Sequence, residues 1–186
     1  MSSVCIIPAR SGSTRLPNKN IFPVHGMPMF YWSYTAALRS NLYEEIYLTT
    51  DSEHYAELAH EHGIKTIIRP YSISDNVSPK QQAIVHAKQF LESSGKHFDL
   101  YMSLQANSPD VQVTDLLNMH TKLVKDKRWE VITVDSNLNQ NGIARLMRSD
   151  VVDNKSLSAV LGAIIANRSN IHTVEDVKTL EMTWIP

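Results

Sequence analysis

The chain has 186 residues, 18 Lys+Arg against 19 Asp+Glu, and a formal net charge of −1. That balance gives no electrostatic case for nucleic acid or an anionic membrane as partner, although it leaves room for a local basic site. The single cysteine, Cys5, excludes an internal disulfide framework and fits a reducing compartment. The apolar run near the N-terminus, Val4 to Ile7, is too short for a secretory core or a membrane span, so a cytoplasmic location is expected.

Length predicts one domain over residues 1–186. Short apolar runs alternate with stretches of helical period, the pattern of βαβ units on a parallel sheet. Val4 to Ile7 predicts the first strand, and a polar loop of about a dozen residues follows it. Pro28 opens a helix running to about Leu38, in a first-turn position where its missing N–H costs nothing. Glu45 to Thr49 is the second strand. Asp51 or Ser52 caps a helix with Tyr55, Leu58, Ala59 and His62 on one face, and Gly63 stops it.

Lys65 to Ile68 is a short third strand, ended by Pro70. Ser78-Pro79 starts a helix carrying Ile84, Ala87, Lys88 and Leu91 at helical spacing and ending at Gly95. Phe98 to Gln105 is the fourth strand. Thr114 caps a helix with Leu116, Leu117, His120, Leu123 and Val124, and Val131 to Val134 is the fifth strand. From Asp135 to Lys155 the chain is polar, Asn-rich and without a clean period. Ala159 to Ala166 reads as a strand, Thr173 to Leu180 as a short helix and Glu181 to Ile185 as the start of another strand. The expected class is α/β, a mostly parallel sheet with helices on both faces. Ligands in such sheets sit beyond the carboxyl ends of the strands, which selects the loops after Ile7, Thr49 and Leu104.

The first of these loops, Pro8 to Asn20, carries Arg10, Arg15 and Lys19 with no acid among them. Ser11, Gly12 and Ser13 let backbone amides approach a ligand. Small residues and cations together at a strand's C-terminal end suit a triphosphate. Neither GxxxxGK[ST] nor GxGxxG is present, so the loop is neither a Walker A loop nor a dinucleotide fingerprint. A solvated surface loop is the competing reading, and the length and lack of acids count against it. Gln105, a polar amide at a strand's C-terminal end, faces the ligand crevice. Arg69 before Pro70 could equally be a turn cation, and Asp51 a plain helix cap. His60 and His62, two apart on a helix, cannot form a metal pair on one face.

Ile7-Pro8-Ala9-Arg10-Ser11-Gly12-Ser13-Thr14-Arg15-Leu16-Pro17-Asn18-Lys19-Asn20 resembles the signature loop of the sugar-acid cytidylyltransferases, the family of CMP-sialic acid synthetases and KDO cytidylyltransferases. Thr50-Asp51-Ser52, Arg69-Pro70, Val85-His86 and Ser103-Leu104-Gln105-Ala106-Asn107-Ser108-Pro109 resemble later motifs of that family, in the right order. Ser13 to Pro17 is nearer the KDO enzymes. Val85-His86 and Leu104 to Pro109 are nearer the sialic acid enzymes and lie where the sugar is expected.

The resemblance implies a Rossmann-like nucleotidyltransferase fold and transfer of CMP from CTP to a sialic-acid-like ulosonic acid, with release of pyrophosphate. CTP and the sugar acid would be the partners, Mg²⁺ the cofactor and a homodimer the assembly. By the same resemblance Arg10 and Lys19 hold the triphosphate and, with Gln105, form the catalytic set. Ala9, Arg10, Ser11, Gly12, Ser13, Lys19, Asn20, Arg69 and Ser78 would bind the nucleotide, and Gln105, Asn107 and Ser108 the sugar acid.

The tail departs from the family pattern. The family's metal-binding aspartates, in an I-D-I-D-T-type motif, are not visible, so no protein ligand to a metal is assigned. In one alignment, Asn170 and His172 replace both aspartates within Asn170 to Asp176. In the other, Gly162-Ala163-Ile164-Ile165 matches the family's G-A-I-Y strand and the motif lies beyond Pro186. The spacing of Ile171, Val174 and Val177 and the apolar run into Ile185 favour the second, making the chain short for a complete enzyme. Residues 135–158 would be a reduced dimerisation insert, with Leu138, Ile143, Leu146 and Met147 available to an interface. A catalytically impaired or truncated nucleotide-binding homologue is therefore the alternative function, and a nucleotidyltransferase acting on a sugar phosphate is a third.

Overall fold

A computed structural model describes residues 1–75 and 78–186. The elements in chain order are β1 (Ser3–Pro8), the short hairpin strands β2 (Pro23–Val24) and β3 (Met27–Pro28), α1 (Met29–Ser40), β4 (Glu45–Thr50), α2 (Glu53–Glu61) and β5 (Lys65–Ile68). There follow α3 (Lys80–Ser93), β6 (Leu100–Leu104), α4 (Val113–Lys125), β7 (Glu130–Val134), β8 (Gln140–Arg148), β9 (Leu161–Ile165) and α5 (Val174–Thr183).

Seven strands form one sheet in the order β5-β4-β1-β6-β8-β7-β9. β8 runs antiparallel to both neighbours, and the remaining pairings are parallel. β1 shows why the run Val4 to Ile7 is unbrokenly apolar. Cys5 and Ile7 join the core under α1, α2 and α4, while Val4 and Ile6 join the core under α3, and all four are fully buried. A strand covered on both faces has no solvent side on which to alternate. The sheet is therefore mostly parallel with helices on both faces, and a third apolar cluster (Leu16, Val24, Met29, Ile171, Val177 and Leu180) seats α5 against the hairpin and α1. Among the described residues no helix is long and apolar enough to cross a membrane.

Several local expectations change. Ser52 caps α2, its hydroxyl accepting from the Tyr55 N–H. Gln112, not Thr114, precedes α4, and Asp115 accepts its N–H at 3.0 Å. Leu117 and Val124 are exposed, while Met119 is buried between the Leu116 and Leu123 positions. Residues 181–185 form no strand: α5 continues to Thr183, and the Trp184 N–H bonds the Leu180 carbonyl at 2.8 Å.

The largest correction concerns residues 135–158. This stretch contains β8, nine residues inserted between β6 and β7 in the middle of the sheet. Ile143, Leu146 and Met147 lie in the chain's own core, so of the four apolar residues assigned to a subunit interface only Leu138 is exposed. The polar appearance comes from the β7–β8 turn, where Asp135 accepts the N–H groups of Asn137 and Asn139 and Leu138 has φ 65°.

Candidate functional site

A cleft of about 350 Å³ lies beyond the carboxyl ends of β1, β5 and β6. The chain leaves β1 toward β4 on one side and β6 on the other, the strand-order switch at which α/β sheets bind ligands. Because β8 is antiparallel, it is the start of that strand that reaches the cleft, at Gly142.

The loop after β1 forms one wall and is pinned at several points. The Ala9 N–H donates to the Thr49 carbonyl at 2.9 Å, and the Asn20 side-chain amide donates to the Arg10 carbonyl at 2.9 Å. Ser11 gives both its N–H and its hydroxyl to the Asp51 carboxylate. Leu16 anchors the middle of the loop in the third apolar cluster. What remains on the cleft side is cationic: Arg10, Arg15 and Lys19 line it, with Arg69 from the end of β5 and Lys80 from the start of α3. Among the described residues these five cations face one lining carboxylate, Asp75, whose Oδ1 accepts the Ser78 N–H at 2.6 Å.

The crowding of like charge shows in the titration of the cleft. Burial first, and then Arg15, Lys80 and Arg10, pull the Lys19 ammonium down to about 8 against the opposing Asp176. Burial and Arg10 lower Lys80 as well. Burial, Lys19 and Arg15 lower His172. Such a site is short of negative charge, and a polyanion supplies it.

Arg69 has two attachments of its own. It is 4% exposed, its Nε donates to Ser74 Oγ at 2.8 Å and its Nη1 donates to the Thr49 carbonyl. Burial lowers it to about 10, so it keeps its charge at neutral pH. It therefore clasps the end of β4 to the turn after β5 while lining the cleft.

On the opposite wall Lys80 donates to Gln105 Oε1, and Gln105 Nε2 donates to Asn170 Oδ1 at 3.2 Å. Asn107 is 4% exposed and donates to the same Asn170 oxygen at 2.7 Å and to the Ile171 carbonyl at 2.9 Å.

Of the residues read from the sequence, Arg10, Ser13, Lys19, Asn20, Arg69, Ser78, Gln105 and Asn107 come together on this cleft. Ala9, Ser11, Gly12 and Ser108 are not on its wall. Ala9 and Ser108 are fully buried, Ser11 faces Asp51, and Gly12 is exposed. The sequence reading missed Lys80 as a site residue. Its signal is a cation in the first turn of a helix, where the helix dipole disfavours positive charge.

The tail forms the strand and the helix that the second alignment expects, at Leu161–Ile165 and Val174–Thr183, and the turn between them reaches the cleft. Asn170 and His172 line the cleft, and Thr173 caps α5 in a capping box with Asp176. The turn therefore presents Asn170 and His172 to the cleft. Its donors are an amide oxygen that already accepts two N–H bonds and an imidazole nitrogen facing two cations. Among the described residues no group of three His, Cys, Asp or Glu could hold a metal ion. Mg²⁺ takes hard oxygen ligands, usually carboxylates, so this donor set does not fit it.

The comparisons agree with the cleft. A family model described as cytidylyltransferase matches residues 4–180. A pseudaminic acid cytidylyltransferase of Campylobacter jejuni is 33% identical over 128 residues, covering 68% of this chain and 55% of the relative. An N-acylneuraminate cytidylyltransferase of Streptococcus agalactiae is 35% identical over 111 residues, covering 59% of this chain and 26% of the relative. The chain thus spans about half the length of the first of these curated relatives and about a quarter of the second. A CMP:2-keto-3-deoxy-manno-octonic acid synthetase solved with CTP shares the fold at TM-score 0.81, with 18% identity over 98% of both chains. With its loop motif, its switch-point cleft and a family match over nearly its whole length, the chain belongs to the cytidylyltransferase family.

Proposed function

We propose that the protein transfers CMP from CTP to a sialic-acid-like ulosonic acid, giving a CMP-sugar and pyrophosphate. The observation that carries this reading is the convergence of Arg10, Arg15, Lys19, Arg69 and Lys80 on one cleft at the strand-order switch. Transfer of a nucleotidyl group needs little covalent help from the protein. It needs the attacking hydroxyl and the α-phosphorus held in line, and charge on the departing pyrophosphate neutralised. Lys19 supplies a compact charge, and Arg10 and Arg15 supply planar forks for two oxygens each. Gln105, across the cleft from the loop, is placed to orient the second substrate.

The relatives named for pseudaminic acid and N-acylneuraminate support a nine-carbon sugar acid. Isothermal titration with CTP, followed by pyrophosphate release over a panel of sugar acids, tests the proposal. CTP binding with release for one acid is the expected outcome, and a folded protein that does not bind CTP refutes it. A second reading, a nucleotide-binding homologue without turnover, is favoured by Asn170 and His172 standing where carboxylates are expected. CTP binding without release for any acid supports that reading instead.

A further inference from the structure

His172 Nδ1 lies 3.1 Å from Arg15 Nη2 and 3.4 Å from Lys19 Nζ. Both partners can only donate, so Nδ1 accepts and the ring proton sits on Nε2. The imidazole lone pair is thereby spent on two cations. Asn170 Oδ1 is spent on Gln105 and Asn107. The one lining carboxylate among the described residues, Asp75, accepts the Ser78 N–H at Oδ1, and the Asp75 carbonyl accepts from Arg10. A divalent ion in this cleft would stand among Arg15, Lys19 and Lys80 with little protein charge to offset it. A free nucleoside triphosphate meets the opposite conditions, because the cations of the cleft offset its charge and no protein carboxylate has to be bridged to it.

We propose that this cleft takes its nucleotide as the metal-free triphosphate. Arg15, Lys19 and Lys80 neutralise the phosphates, and His172 is a positioning residue that holds Arg15 and Lys19 toward them. The inference rests on the proposed function only for the identity of the base; the polyanion site stands on the side chains themselves.

Isothermal titration with CTP in EDTA and in Mg²⁺, repeated with inorganic triphosphate, tests it on the whole chain. The expected result is CTP affinity in EDTA within about threefold of that in Mg²⁺, or tighter. CTP binding that weakens about tenfold or more in EDTA overturns the inference and leaves the cytidylyl reading standing. Triphosphate binding in EDTA with no preference for CTP over other nucleotides upholds the inference and overturns the cytidylyl reading. No binding of either probe in either buffer overturns both. The double variant Asn170→Asp/His172→Asp is expected to lose about tenfold in CTP affinity in EDTA and to regain it with Mg²⁺. Unchanged affinity of that variant in EDTA overturns the role given to His172.

Discussion

Ser11 donates its backbone N–H and its hydroxyl to the two oxygens of Asp51, at 2.9 and 2.8 Å, and so ties the cationic loop to the end of β4. Ser52 caps the next helix, leaving Asp51 free to anchor the loop. A loop carrying Arg10, Arg15 and Lys19 repels itself, and holding it closed before the ligand arrives lowers the ordering cost of binding. Asp51→Ala is expected to weaken CTP binding about tenfold by titration calorimetry, with a loss of stability of about 1–2 kcal/mol. Asp51→Asn, which keeps one acceptor oxygen, should fall between the two. CTP affinity that does not change in Asp51→Ala would show that the other pins suffice.

Lys80 gives a second prediction. Its ammonium lies against Gln105 Oε1, and both stand beside Gly142, where an added Cβ would come within 3.6 Å of the Lys80 Nζ. Lys80→Met keeps the length of the side chain and removes its charge. The expected result is a loss of about tenfold to a hundredfold in CTP affinity at low salt, shrinking as ionic strength rises. The fold should hold, since a first-turn cation opposes the helix dipole and its removal relieves α3. Equal CTP affinity for the variant and the parent would remove Lys80 from the binding set.

The parallel part of this fold is legible because each strand of the first half is a short apolar run between turn residues. β1 and β5 fall where the pattern puts them, and Gly63 with φ 72° ends its helical segment as expected. β8 is hidden for a physical reason. Its polar side chains bond within the chain, Arg145 to Glu130 on β7 and Gln81 on α3 and Asn141 to the Ala166 carbonyl, so they appear in a strand with little solvent face. In the site, residues close in sequence were readable, since the loop motif carries them together. Lys80, Asn170 and His172 come from separate segments, and only the folded sheet brings them to the same cleft. In the tail the helix from Thr173 is legible from its cap, whereas the apolar run into Ile185 reads as a strand although α5 continues to Thr183.

Lys19 makes CTP binding depend on pH in a stated direction. With its ammonium pulled down from 10.5 to about 8, the free protein begins to lose this charge just above neutrality. A bound triphosphate favours the charged form and draws the value back up. Affinity should therefore be greatest below pH 8 and fall as pH rises through 8 to 10, with proton uptake on binding near pH 8. Titrations in buffers of different ionisation enthalpy measure that uptake. Lys19→Arg, charged throughout this range, should flatten the profile. A profile for the parent protein that is flat from pH 7 to 10 would contradict the assignment of Lys19 to the phosphates.

Glu130 and Arg145 carry the last prediction, which concerns the centre of the sheet. Glu130 on β7 is fully buried and accepts from Arg145 Nε on β8 at 2.6 Å and from the Ser158 N–H ahead of β9. Arg145 Nη1 reaches Gln81 on α3 at 2.9 Å. One carboxylate thus offsets the guanidinium that joins β8 to its neighbours on the sheet and above it. Removing that carboxylate leaves a largely covered cation without its counter-charge, a larger cost than losing a surface ion pair. Glu130→Ala is expected to lose about 3–5 kcal/mol in urea denaturation, whereas Glu130→Ala/Arg145→Leu should recover a substantial part of it because no unpaired charge remains. The cleft lies beyond the strand ends, so the double variant, once folded, should bind CTP with about the parent affinity. Equal destabilisation in the single and double variants would mean that β8 is held by packing alone.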